Sequence, residues 1–216
     1  GNELIPDKDR EQNAIITLVL CPNGIVQAIT PAGLPGWDSV YGLDLLQNKT
    51  WRPDAIKTID LHHEGMVMTG PTRLRAGPMG LVTRLAVFIE GAGPNETFGA
   101  PGAPYDCPQC YEPPDPPDHP TGAKYWGMSQ LNMDWDKLSK LAHIYDLCSD
   151  QGLAFDMTYI DPVTGENRTI ASCGGSVGED PLFVEILVMH NRWVMAVSDK
   201  RGWTPNWLAA AITLVV

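Results

Sequence analysis

Cys107-Pro108-Gln109-Cys110 is the spacing in this sequence that most invites a chemical reading. Two thiols so spaced serve as half of a zinc site, as a thioredoxin-type redox pair, or as a disulfide. Zinc would need a second close pair, and Cys148 and Cys173 lie 25 residues apart. A redox pair opens a helix after a strand, whereas this one is embedded among prolines. The spacing predicts a disulfide that staples its segment, locally or together with Cys148 and Cys173. With Cys21 the count is five, so at most two disulfides form and one thiol stays free. His62 and His63 stand beside Glu64 at a helix end. Neighbours on a helix point in different directions, so the expectation is a solvated cationic turn and no chelate. His119, His143 and His190 are scattered. No Ser-His-Asp order, nucleophile elbow, phosphate loop or His-Glu-x-x-His run occurs. Gly174-Gly175-Ser176 lacks the strand and helix flanks of a phosphate loop, and the pairs Asp134/Asp136 and Asp115/Asp118 fall on a helix cap and in a proline-rich segment. The chemistry expected is therefore binding without catalysis, metal or cofactor.

For binding, the candidates are Thr69, Arg73, Arg84, Trp126 and Met128, with Asp44 closing the pocket. Guanidinium forks on neighbouring strands hold carboxylate or phosphate bidentately, and basic residues concentrate at Arg73, Arg75 and Arg84, so a weakly anionic small molecule is the favoured ligand. The alternative for each residue is that the apolar members are core and the arginines paired surface groups.

The elements that must position them follow from periodicity and turn chemistry. Ala14 to Leu20 reads as a strand buried on both faces; Pro22-Asn23-Gly24 turns the chain, and Ile25 to Thr30 returns as a hairpin. Val40, Leu43, Leu45 and Leu46 suggest a short helix from Asp38. A second helix runs from Trp51 to Glu64, with Pro53 in its first turn and Gly65 ending it. Met66–Leu74, Leu81–Ile89 and Tyr125–Met133 are strand-like; the last is expected to turn Trp126, Met128, Leu131 and Met133 inward with a slip near Ser129. Residues 91–124 form a proline-rich insertion in which 101–120 holds eight prolines and cannot join a ladder. Asp134 caps a helix carrying Trp135, Leu138, Leu141, Ala142 and Tyr145, and two hairpins follow, Ala154–Ile160 with Arg168–Ala171 and Leu182–Met189 with Arg192–Val197. The class is α+β: an antiparallel sheet with flanking helices over 14–150, with a pocket between the sheet and the helices from Leu43 to Leu61, and a smaller β-rich part over 151–204.

The formal charge of −11, from 15 Lys+Arg against 26 Asp+Glu, argues against nucleic acid or an anionic membrane surface as partner, and 44% apolar residues exclude wholesale disorder. Asn48-Lys49-Thr50, Asn95-Glu96-Thr97 and Asn167-Arg168-Thr169 each fit the N-glycosylation acceptor and fall beside turn-forming residues. Together with the cysteines they point to the secretory pathway. Trp207 to Val216 is an uncharged run of half the length that spans a bilayer, read either as a terminal strand or core helix, or as the start of a membrane helix.

Ile15–Leu20, Pro22-Asn23-Gly24-Ile25-Val26, Pro31 and Tyr41-Gly42-Leu43-Asp44-Leu45-Leu46 resemble the succession of a strand, a "P-x-G-x-V" hairpin and a "G-x-D-L-L" helix in CHASE domains. Gly70-Pro71, Gly80 to Phe88, Tyr125-Trp126-Gly127-Met128, Asp134 to Leu138, Asp161 to Gly165 and Arg201-Gly202-Trp203 are similar to later blocks of that family. The resemblance covers about Ile15 to Trp203. It implies a PAS-like fold and a non-catalytic extracellular sensor of a transmembrane receptor, held on the outer face of the plasma membrane by a following helix that Trp207–Val216 would begin, and it leaves a homodimer open. Three departures stand out. The leading helix and the strand-rich stretch that precede the first hairpin in the family are missing, the family's polar "G-N-E" is replaced by Gly33-Leu34-Pro35-Gly36-Trp37, and the proline-rich insertion is foreign to it. An extracellular structural or adhesion module without a small-molecule ligand is the alternative function.

Overall fold

The computed structural model describes residues 13–99, 107–115, 121–160, 165–200 and 203. The run Trp207–Val216 and the blocks at Asp161–Thr164 and Arg201-Gly202 lie outside them. No helix among the described residues is long and apolar enough to cross a membrane. The chain divides into two compact units, Gly1–Leu141 and Ala142–Val216.

The first unit is built on a six-stranded antiparallel sheet. Its strands are β1 (Ile15–Pro22), β2 (Ala28–Thr30), β3 (Val67–Arg73), β4 (Met79–Ala92), β5 (Tyr111–Glu112) and β6 (Gly122–Asp134). They lie in the order β2-β1-β6-β4-β3, with β5 also paired to β6. All five strands expected for the larger sheet are there. In β1, Thr17, Val19 and Cys21 turn into the unit while Leu18 and Leu20 stay exposed, so this strand is buried on one face rather than two although both faces are mainly apolar. The Pro22-Asn23-Gly24 turn forms as its composition demands, with positive φ at Asn23 (49°) and Gly24 (78°). A Cβ at Gly24 would lie 2.8 Å from Leu46 Cγ, so glycine is needed twice over, for conformation and for space.

Helix α1 (Arg52–Asp60) starts with proline in its first turn and buries Ala55, Thr58 and Ile59, packing on β3 and β4. A 3-10 turn, His62–Glu64, follows it. Helix α2 (Trp135–Leu141) starts at the Asp134 carboxylate, which accepts the Lys137 backbone N–H at 3.0 Å. It stops before Tyr145, and a separate short helix, α3 (Asp146–Ser149), succeeds it.

Three local expectations are corrected. The segment from Asp38 is a 3-10 turn, Trp37–Val40, followed by further turns, because Gly36 and Gly42 adopt positive φ and the backbone of 42–45 pairs with that of 24–26. Ile25 accordingly makes a single bridge, to Asp44, and regular pairing resumes only at Ala28. The proline-rich insertion does join the ladder, since Tyr111 and Glu112 pair with Lys124 and Ala123. Those two residues carry backbone N–H groups where the surrounding prolines have none.

The second unit is a four-stranded antiparallel sheet of β7 (Leu153–Ile160), β8 (Asn167–Cys173), β9 (Leu182–Val188) and β10 (Asn191–Asp199), in the order β8-β7-β10-β9. Phe155, Met157, Tyr159, Trp193, Met195 and Val197 alternate inward along its two central strands. The architecture is thus mainly antiparallel sheet with short helices, of the α+β class.

Candidate functional site

Arg84 lies in the middle of β4 and is 1% exposed. Its Nε donates to Gln130 Oε1 at 3.0 Å, and its Nη1 donates to Thr69 Oγ1 at 3.0 Å. Gln130 Nε2 donates in turn to Asn132 Oδ1 at 3.0 Å, and Asn132 Nδ2 to Thr17 Oγ1 at 2.9 Å. The direction of this chain is dictated by its first member. A guanidinium only donates, so Gln130 must offer it the carbonyl oxygen, and its amide nitrogen must then face Asn132. One cation thereby orients two amides and a hydroxyl across β4, β6 and β1.

The register explains why these residues meet. Arg84 is opposite Gln130 and Val82 opposite Asn132, so Gln130 and Asn132 share the inward face of β6 with Met128. The expected inward positions of Leu131 and Met133 are corrected by this, and so is that of Trp126. The ladder slips between Val87 and Phe88, opposite Trp126, which lets Tyr125 and Met128 both enter the core without it.

Above Arg84, Gln130 and Asn132 is a cavity of about 30 Å³. Its roof is Trp37, Val40, Leu43, Leu45 and Trp51, and Arg75 reaches its edge. Arg84 is among the residues that line this cavity, with its Nε and Nη1 engaged by Gln130 and Thr69. Burial pushes the Arg84 pKa down, while the fields of Asp54, Cys21 and Tyr125 oppose that fall. A low-dielectric wall around a cation makes the spot receptive to a group that accepts hydrogen bonds and carries negative charge.

Of the six predicted ligand residues, the structure brings Arg84 and Thr69 into contact and seats Met128 in the hydrophobic core. Arg73 is exposed at the end of β3, opposite Met79, and does not line the cavity. Arg75 is the second basic residue there. Asp44 Oδ1 accepts the backbone N–H groups of Leu46 (2.9 Å) and Gln47 (3.0 Å), which fastens the roof, and Asp44 is not among the residues lining the cavity. Gln130, Asn132, Thr17 and Trp37 were not singled out in the sequence. Polar residues two apart in a strand-forming run, next to a strand with a central arginine, were the available signal.

A larger groove of about 360 Å³ runs along β1 past Ile15, Leu18, Pro31 and Leu34, with Asp134 and Lys137 on its wall. It contains none of the predicted ligand residues and no buried polar network, so the smaller Arg84 cavity is the better candidate.

Cys107–Cys110 and Cys148–Cys173 are each at disulfide distance, the first pairing being local. Cys21 is the free cysteine, buried in the core, and burial pushes its thiol up to about 12. Two such pairs point to an oxidising compartment. Asn95 and Asn167 are exposed; Asn48 is half-buried and its side chain accepts the Thr50 N–H at 3.0 Å.

Neither models of known protein families nor the curated proteins give a match to this chain.

Proposed function

We propose that this chain is a non-catalytic ligand-sensing domain of the CHASE type, with a PAS-like first unit, displayed on the extracellular face of the plasma membrane as part of a transmembrane receptor. The ligand is a small molecule bearing a carboxylate or phosphate, held by Arg84 from β4 and Arg75 from the cavity edge. One observation carries the reading: the buried Arg84 guanidinium lines a small, mostly apolar cavity. An antiparallel sheet with short helical segments packed against it supports the PAS-like form.

About 30 Å³ accommodates roughly one water molecule. A ligand therefore enters only if the roof lifts, and the roof is one piece: Val26 N–H donates to the Leu43 carbonyl, Gly42 N–H to Val26, and Leu45 N–H to Gly24. Binding that requires displacement of this flap selects between two arrangements, as a sensor must. Thermal-shift screening of the glycosylated, oxidised protein against carboxylates, phosphates and purines tests the reading. A ligand that raises Tm in wild type and fails to do so in both R84M and R75A is the expected result. No shift with any class, or a shift untouched by both variants, refutes it.

A second reading has one observation in its favour. β9 is an edge strand whose Phe183 and Leu187 are 70% and 76% exposed. Such an edge suits a protein partner, as an extracellular adhesion module would need. Attachment to a membrane through a following helix and a homodimeric receptor belong with the first reading.

A further inference from the structure

The 3-10 turn after α1 places two imidazoles side by side, against the expectation that they diverge. The His62 and His63 rings have centroids 3.7 Å apart, and their Nε2 atoms lie 3.1 and 2.7 Å from the same oxygen, Oε1 of Glu112. Glu112 arrives from β5, across 48 intervening residues of chain. The three ligand atoms lie within 4.8 Å of one another. We propose that His62 Nε2, His63 Nε2 and a Glu112 carboxylate oxygen form a binding site for one divalent transition-metal ion, zinc being the ion it suits, which clamps the proline-rich insertion to the end of α1.

His62 carries the argument. Its Nδ1 is 2.8 Å from the Ile59 carbonyl oxygen, which only accepts, so Nδ1 carries a proton and the neutral ring presents its lone pair at Nε2. A backbone carbonyl that accepts from the other ring nitrogen in this way fixes the orientation of a metal-binding imidazole. The ring is stacked on Phe88 at 4.0 Å and its side chain is only 13% exposed. Nε2 is buried and makes no hydrogen bond, although Glu112 Oε1 is close; the contact sets a lone pair against a carboxylate oxygen. A cation between them resolves that conflict. Two imidazoles and one carboxylate are a tetrahedral zinc donor set with one position left for water, and they do not suit calcium or magnesium, which take all-oxygen shells.

Glu112 is delivered by a built scaffold. The Cys107–Cys110 disulfide closes the 3-10 turn Pro108–Cys110 immediately before β5, and that turn packs on α1. Gly122, at the start of β6, has no room for a side chain, since a Cβ there would fall 1.9 Å from the Glu112 carbonyl oxygen. Zinc bonds of about 2.0–2.1 Å set tetrahedral ligand separations of about 3.3 Å, so the 3.1 and 2.7 Å contacts to Glu112 open by a few tenths of an ångström to admit the ion.

The test uses the intact oxidised chain, stripped with chelator and titrated with Zn²⁺ by calorimetry and with Co²⁺ by visible absorption. One ion per chain and a tetrahedral Co²⁺ spectrum are expected. Removing an outer-shell partner costs about 10–100-fold in affinity, so loss of a ligand in H63A or E112Q should cost at least about 100-fold. His63 is 72% exposed, so H63A should not disturb folding, and unchanged circular dichroism verifies this. H119A, H143A and H190A should bind as wild type. Failure to bind Zn²⁺, affinity unchanged in H63A and E112Q, or loss confined to H119A, H143A or H190A overturns the proposal and leaves the cluster an ion pair.

Discussion

Replacing Gln130 by leucine should harm this protein more than removing the charge that Gln130 serves. Leucine keeps the volume but deletes the acceptor for Arg84 Nε and the donor to Asn132 Oδ1. A hydrogen bond to a charged group contributes about 1.5–3 kcal/mol, and a buried acceptor left without a donor costs about 1–3 kcal/mol, so Q130L should lose roughly 4 kcal/mol. R84M also strands the Gln130 oxygen, yet it relieves the fold of a desolvated cation, and the net loss should be about 1 kcal/mol. For a chain of this length 1 kcal/mol moves Tm by about 2–4 °C, so falls of roughly 12 °C and 3 °C are expected. Q130E serves as the control. Its carboxylate accepts from Arg84, Asn132 turns its amide to donate to the new oxygen, and the Thr17 hydroxyl donates to Asn132 instead; stability should stay within about 1 kcal/mol of wild type. Urea denaturation read by tryptophan fluorescence suits the measurement, because Trp37 and Trp51 roof the cavity. If R84M proves as damaging as Q130L, the desolvation cost assigned to the buried Arg84 cation is wrong.

Cys21, with a thiol raised from 9.0 to about 12 by burial, should resist alkylation by iodoacetamide at pH 8 until urea unfolds the first unit, as counted by intact mass. The proton it retains when folded means stability from this group is complete below pH 9.0 and is lost as pH rises towards about 12, so urea midpoints should fall across that window. Loop lengths rank the disulfides: C148S/C173S should cost about 3.5 kcal/mol and C107S/C110S about 2 kcal/mol, a difference that chemical denaturation resolves. G24A forces a side chain into a left-handed backbone against Leu46 and should cost about 2 kcal/mol, measured the same way.

Wherever local chemistry decides, the sequence foretold the structure. Asn23-Gly24 turned, Pro53 opened α1, Asp134 capped α2, and all the expected strands formed, the second shortened to Ala28–Thr30 and Tyr111–Glu112 joining unannounced. The inward face of β6 was misread because alternation was scored by apolarity, while the residues that face the core are Gln130 and Asn132. They are tolerable inside only because Arg84 sits opposite on another strand, and pairing across strands is not written in local spacing. The turns from Trp37 to Leu46 imitated a helix in the spacing of their leucines, but their backbone is committed to residues 24–26. The His62-His63-Glu112 cluster was invisible for the same reason: one of its members comes from a segment whose prolines suggested that it paired with nothing.

Ala92 and Gly122 face each other in the ladder, so the ends of the 29 residues between them, the bulk of the 91–124 insertion, are held together whatever their number. The anchor at Cys107–Glu112 divides it into two separate spans. Closure entropy grows only with the logarithm of length, and doubling either span should cost about 0.6 kcal/mol. This makes the insertion a grafting position. A fluorescent reporter or epitope placed between Ala92 and Cys107 would leave the sheet register intact and would sit on the arm that the His62-His63 turn holds, so its motion would read out whether that arm is docked or released.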